Sequence, residues 1–106
     1  MEYTTDKYGN KYTHSDGKLH SYNDGPALIT DDGTQFWYRD NKKHRDGDMP
    51  AVISENGNML WFQNGLMHRD NDMPAIIQTN GSAEWWINGE FIKKCDNYFI
   101  KIKRAN

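Results

Sequence analysis

Short apolar and aromatic runs alternate along this chain with polar turns, and the turns are evenly spaced. Ala51 to Ser54 and Met59 to Phe62 are rich in branched or aromatic residues, which fit a pleated surface. Asn56-Gly57 and Asn64-Gly65 bound them, and Asn-Gly supplies the positive φ values of a two-residue hairpin turn. No segment of helical length carries an apolar period near that of a helix. The pattern predicts an all-β chain.

The same turns predict a register. With Asn56-Gly57 central, Val52 faces Trp61 and Ala51 faces Phe62; with Asn64-Gly65 central, Trp61 faces His68 and Phe62 faces Met67. Opposed residues share a sheet face, so two stripes are expected. One carries Val52, Trp61 and His68, and the other Ala51, Ile53, Leu60, Phe62, Met67 and Arg69.

This unit recurs. Pro26-Ala27, Pro50-Ala51 and Pro74-Ala75 stand 24 residues apart, and the same step joins Trp37, Trp61 and Trp85. It also joins Gly9, Gly33, Gly57 and Gly81, then His20, His44 and His68, then Asp24, Asp48 and Asp72. One domain over 1–106 is expected, with repeats at about 8–25, 26–49, 50–73 and 74–94 and a closing strand at 97–104. The first copy has Thr13 for Trp and Ser21 for Arg, and the last has Ile92-Lys93 for His-Arg. End units of a stack depart from the rest because one of their faces meets water. The expected architecture is an elongated, single-layer antiparallel meander of about ten short strands.

Stepping the stripes by one period puts Leu28, Trp37 and His44 together, and likewise Ile76, Trp85 and Ile92. The expected packed side is therefore Trp37, Trp61 and Trp85 with His44 and His68, and Ile92 at a His position suggests an apolar slot there. The second stripe supplies Tyr38, Phe62, Trp86, Met67, Arg45 and Arg69. Aromatic, Met and Arg side chains together are the composition of protein-binding surfaces.

Composition narrows the function. Only 36% of residues are apolar but 13% are aromatic, which suits a thin sheet better than a deep core. The net charge of -2 with interspersed signs makes nucleic acid an unexpected partner. Cys95 is the single cysteine, so neither an intrachain disulfide nor a Cys-based metal cluster can form. Met1 to Asn10 has no apolar run of a signal peptide and nothing is long enough to span a membrane, so a cytoplasmic location is expected.

Three constellations invite chemistry. The pairs His44-Arg45 and His68-Arg69 could ligate a metal or grip a phosphate; alternatively His pads the Trp stripe and Arg pairs with an acidic loop. Asp46-Gly47-Asp48 and Asp70-Asn71-Asp72 have the alternate carboxylates of a calcium loop but lack its closing bidentate Glu, and Asp and Asn also favour turns. Ser15, Ser21, Ser54, Ser82 and Cys95 lack the paired base of a nucleophile, and no phosphate-binding Gly loop leads into a helix. A reaction centre needs one asymmetric cluster, whereas repetition spreads like groups along a line. No catalytic residue, metal or cofactor is expected.

Trp61-Phe62-Gln63-Asn64-Gly65-Leu66-Met67-His68, followed by a strand and a further Gly turn, resembles the MORN repeat, over about Tyr8 to Lys94. The chain departs from that pattern in having Asp-x-Pro-Ala where MORN units carry Gly-x-Gly, and in an incomplete Tyr-x-Gly-x-Trp core. The fuller pattern, Trp-aromatic-x-Asn-Gly-x-x-His-Arg-x-x-Asp-x-Pro-Ala, is similar to uncharacterised repeat proteins of bacteriophages and large DNA viruses. The MORN resemblance implies a single-layer sheet used for protein contacts, with lipid binding proposed in some members. The viral resemblance implies a virus–host setting, with a host defence protein as the partner to be inhibited.

The expectation is thus a non-enzymatic protein-binding repeat module. The alternatives are a small-molecule or nucleotide sponge and a self-assembling structural protein, and open strand edges make a homodimer one expected assembly.

Overall fold

The computed structural model describes residues 3–99. They form an open, all-β array of hairpins. It measures 45 × 25 × 21 Å with a radius of gyration of 14.9 Å, against about 13 Å for a compact chain of this size. The array is elongated because each repeat contacts only its neighbours.

The first unit contains β1 (Thr4–Thr5), β2 (Lys11–Tyr12), β3 (His14–Ser15) and β4 (Lys18–Leu19). The second contains β5 (Leu28–Ile29), β6 (Gln35–Phe36), β7 (Tyr38–Arg39) and β8 (Lys42–Lys43). The third contains β9 (Val52–Ile53), β10 (Met59–Leu60), β11 (Phe62–Gln63) and β12 (Leu66–Met67). The fourth is simpler: β13 (Ile76–Ile77), β14 (Ala83–Ile87) and β15 (Glu90–Cys95).

Nine strands make one antiparallel sheet in the order β1-β2-β5-β6-β9-β10-β13-β14-β15, while β3/β4, β7/β8 and β11/β12 are separate hairpins. Each of the first three units therefore lays two strands in the sheet and extends the second beyond it as an arm, and the fourth lays three. The arms are laced to one another: Ser21 N–H donates to the Tyr38 carbonyl (2.8 Å), Gly65 N–H to Lys43 (2.9 Å) and Gly89 N–H to Met67 (2.9 Å). The meander is thus divided into a sheet and a row of arms, with more and shorter strands than the pattern alone suggested.

The arm turn has the expected register, with Phe62 opposite Met67 and His68 N–H bonded to the Trp61 carbonyl. Asn64 (φ 51°) and Gly65 (φ 84°) both take left-handed backbone there, as a two-residue turn requires. The sheet turn differs. Only Gly57 is left-handed (φ 97°), Gly57 N–H donates to the Ser54 carbonyl, and the loop holds three residues, Glu55 to Gly57. Val52 consequently faces Leu60 rather than Trp61, and Ile53 faces Met59. The Ser54 hydroxyl, which accepts the Asn58 N–H (2.9 Å), fastens this longer turn.

The one-residue shift exchanges the faces of the sheet strands. Continuing the observed ladders by one residue sets Ala51 between Trp37 and Trp61, and Ala75 between Trp61 and Trp85. Ala27, Ala51 and Ala75 are all 0% exposed. At Ala51 and Ala75 an indole on each neighbouring strand leaves room for only a methyl, whereas Ala27 has Trp37 on one side and Thr13 on the other. Trp37 and Trp61 are buried and Trp85 is half-buried, while Val52, expected on their stripe, lies on the other face; Trp61, Ala75 and Ile77 form a core cluster.

In the last unit β15 does not turn back through an acidic loop. It runs straight on beside β14, setting Lys94 and Cys95 opposite Glu84 and Ala83, where Ile76 and Ile77 stand opposite Leu60 and Met59 one unit earlier. The array is capped by its own last strand. Tyr98 and Phe99 are helical, so the strand expected over 97–104 is not present at those two residues, and positions 100–104 lie outside the described residues.

Candidate functional site

The side of the array that carries the Trp row is a series of repeated clamps. The Trp37 and Trp61 indole N–H groups donate to the carbonyls of Asp24 (2.9 Å) and Asp48 (3.1 Å), fixing the preceding acidic loop over each ring. Arg45 then lies on the Trp37 ring, 3.8 Å from its centroid, and Arg69 on Trp61 at 3.9 Å. Arg45 holds both oxygens of Asp24 (3.0 and 3.2 Å) and donates to the Pro50 carbonyl (3.1 Å). Arg69 holds Asp48 (2.9 and 3.3 Å) and the Pro74 carbonyl (3.1 Å). The Arg45 guanidinium keeps the Asp24 carboxyl below the usual carboxylate range.

Both arginines are therefore removed from the partner-facing stripe where their position in the sequence put them. Their planar forks are consumed inside the molecule, stacking on a ring and pairing with the loop acid.

Histidine is held as firmly. His44 Nδ1 accepts the Asn64 N–H of the next arm (3.0 Å), so its proton belongs on Nε2, which faces Asp46 (2.8 Å). His68 repeats this with Asn88 (3.0 Å) and Asp70 (2.7 Å). Both ring nitrogens are committed, leaving none for a metal or a substrate proton. Hydrogen bonding from His44, with Arg39 close by, holds the Asp46 carboxyl low. Ile92, at the equivalent place, is not in an apolar slot; the bulge between Trp85 and Trp86 displaces it, and it is 54% exposed. The acidic loops are turns, with Gly47, Asp48, Asn71 and Asp72 in left-handed backbone. Among the described residues no three His, Cys, Asp or Glu side chains are grouped to hold a metal.

An open cleft of about 370 Å³ lies between the first two loops, lined in part by His20, Ser21, Arg39 and Gly47. Its largest charged groups already face one another, Arg39 and His44 on Asp46 and Arg45 on Asp24.

The other face carries the aromatic stripe. Tyr38 lies opposite Lys43, Phe62 opposite Met67, and Trp86 opposite Phe91. Lys43 Nζ sits 5.1 Å from the Phe62 ring centroid and 5.8 Å from that of Phe36, binding adjacent units across the stripe. Tyr38, Phe62, Met67 and Trp86 are partly buried, and burial pushes the Tyr38 hydroxyl up. Met67 and Trp86 also pack against the Trp61 cluster.

Further large apolar side chains are exposed at and beside the last hairpin. Leu66, Ile87, Phe91 and Ile92 are 49, 40, 53 and 54% exposed. Leu66 reaches the tip of that hairpin at Gly89, and Phe91 meets Trp86 edge-on at 5.6 Å. The periodicity hid these residues because it marks positions alike in every unit. The corresponding tips of the earlier arms are Lys18 and Lys42, so the useful signal was the change from lysine to leucine between like positions.

No helix among the described residues is long and apolar enough to cross a membrane. No protein-family model, curated protein or solved structure matches this chain.

Proposed function

We propose that this chain is a non-enzymatic module that binds another protein through the C-terminal end of its aromatic face. The observation that carries this reading is the exposure of Leu66, Ile87, Phe91 and Ile92 around the last hairpin, with Phe91 packed on Trp86. Several large apolar side chains left in water at one end of the array are costly, and their usual use is contact with a partner. Phe62 and Tyr38 extend the surface along the row, with Lys43 as its cation. The clamped arginines and histidines support the scaffold and leave recognition to the residues that vary between units. In the virus–host setting implied by the resemblance, the partner would be a host protein whose activity the module blocks.

Affinity purification from the native host, followed by mass spectrometry, tests this. A partner retained by the unaltered chain is expected to be lost with Ile87→Ser plus Phe91→Ser, whose exposed positions leave the fold intact. Retention of every specific partner by that variant, with an unchanged melting curve, refutes the reading.

A further inference from the structure

We propose that the last unit presents an arginine slot, formed by Trp85 and Asp72, that receives an arginine side chain from a different polypeptide. This is a second site, independent of the apolar surface above. The two internal clamps show what such a slot holds: a guanidinium 3.8–3.9 Å from an indole centroid, with Nε and Nη2 on the two oxygens of one loop aspartate.

The receiving half of the third clamp keeps the same loop bond, although its ring also meets Tyr98 edge-to-face at 5.6 Å. Trp85 Nε1 donates to the Asp72 carbonyl at 3.0 Å, as Trp37 and Trp61 do to Asp24 and Asp48. Asp72 has φ 55°, beside 58° and 56° for Asp24 and Asp48. What differs is the donor. The residue one period after Arg69 is Lys93, an exposed side chain whose Nζ is 4.8 Å from the Trp85 centroid. A lysine has no fork to span both carboxylate oxygens. Among the described residues Asp72 has no ion-pair partner, and Trp85 is less buried than Trp37 or Trp61.

A second copy of this chain is a poor occupant. The unit at its leading end has Ser21 in place of the arginine, and Arg45 and Arg69 are already held in their own clamps. The filled clamps also specify context: each arginine donates to the carbonyl of a proline five residues later, so it leads into a turn. The occupant is therefore an arginine at the start of a tight loop in another protein.

The probe is a synthetic peptide with the sequence of residues 67–75, Met-His-Arg-Asp-Asn-Asp-Met-Pro-Ala, added to the full chain. The readout is the indole N–H signal of each Trp by NMR. A saturable shift of Trp85 alone is expected. Replacing the peptide arginine with lysine should weaken binding about tenfold, the scale of a lost charged hydrogen bond, and so should Asp72→Asn in the protein. Asn tolerates the left-handed backbone at that position, so the variant should melt as the parent does.

Absence of a saturable shift, equal binding of the lysine peptide, or indifference to Asp72→Asn overturns the proposal. Binding that emerges only after Arg104→Ala overturns it too, because the slot would then belong to the chain's own C-terminal arginine.

Discussion

Arg69 is the residue whose removal best separates a clamp from a contact surface. Arg69→Ala removes the stack on Trp61, the fork on Asp48 and the donor to the Pro74 carbonyl. The stack is worth about 0.5–2 kcal/mol and hydrogen bonds to a charged group about 1.5–3 kcal/mol. Asp48 is 55% exposed, so solvent screening puts the ion-pair share near the low end. Pro74 is almost fully buried, and its carbonyl would lose this donor. Together these give a loss of about 2–3 kcal/mol, or roughly 10–20 °C in melting temperature for a domain of this size.

Urea unfolding followed by Trp fluorescence measures it. Arg69→Lys should recover only part of the loss, since it keeps the charge without the fork. A double-mutant cycle with Asp48→Asn should give a coupling of about 1 kcal/mol. If Arg69→Ala costs under about 0.5 kcal/mol, the range of a neutral surface change, the clamp does not hold the array together.

Two further outcomes are expected from the same packing. Ala51→Leu puts a branched side chain between two indole rings at a fully buried position, and should cost about 1–3 kcal/mol in the same unfolding assay. The pH dependence has a definite sign. The Asp24 carboxyl is depressed in the folded chain by Arg45, so its stabilising contribution is complete above the ordinary carboxylate value of 3.8 and fades as pH falls through the folded value below it. Urea midpoints from pH 6 down to pH 2 should show that acid loss in the parent, and less of it in Arg45→Ala.

The periodicity was sufficient for the fold class because it is a property of the covalent chain. Evenly spaced Gly and Asn residues admit left-handed backbone, and short branched or aromatic runs between them have no alternative to hairpins. The row of Trp37, Trp61 and Trp85 and the arm turn at Asn64-Gly65 were legible for that reason.

Which Asn-Gly pair makes a two-residue turn and which joins a three-residue loop was not legible, since the dipeptide suits both. Tertiary packing decided it: a methyl fits between two indoles, so Ala51 takes that place and Val52 turns to the other face. The arginines were equally out of reach. Their partners, Asp24 and Asp48, lie 21 residues upstream and meet them only when neighbouring units stack. Sequence determined the repeating unit and where the backbone reverses. Contact between units determined which side chains are consumed in holding the stack and which remain to meet a partner.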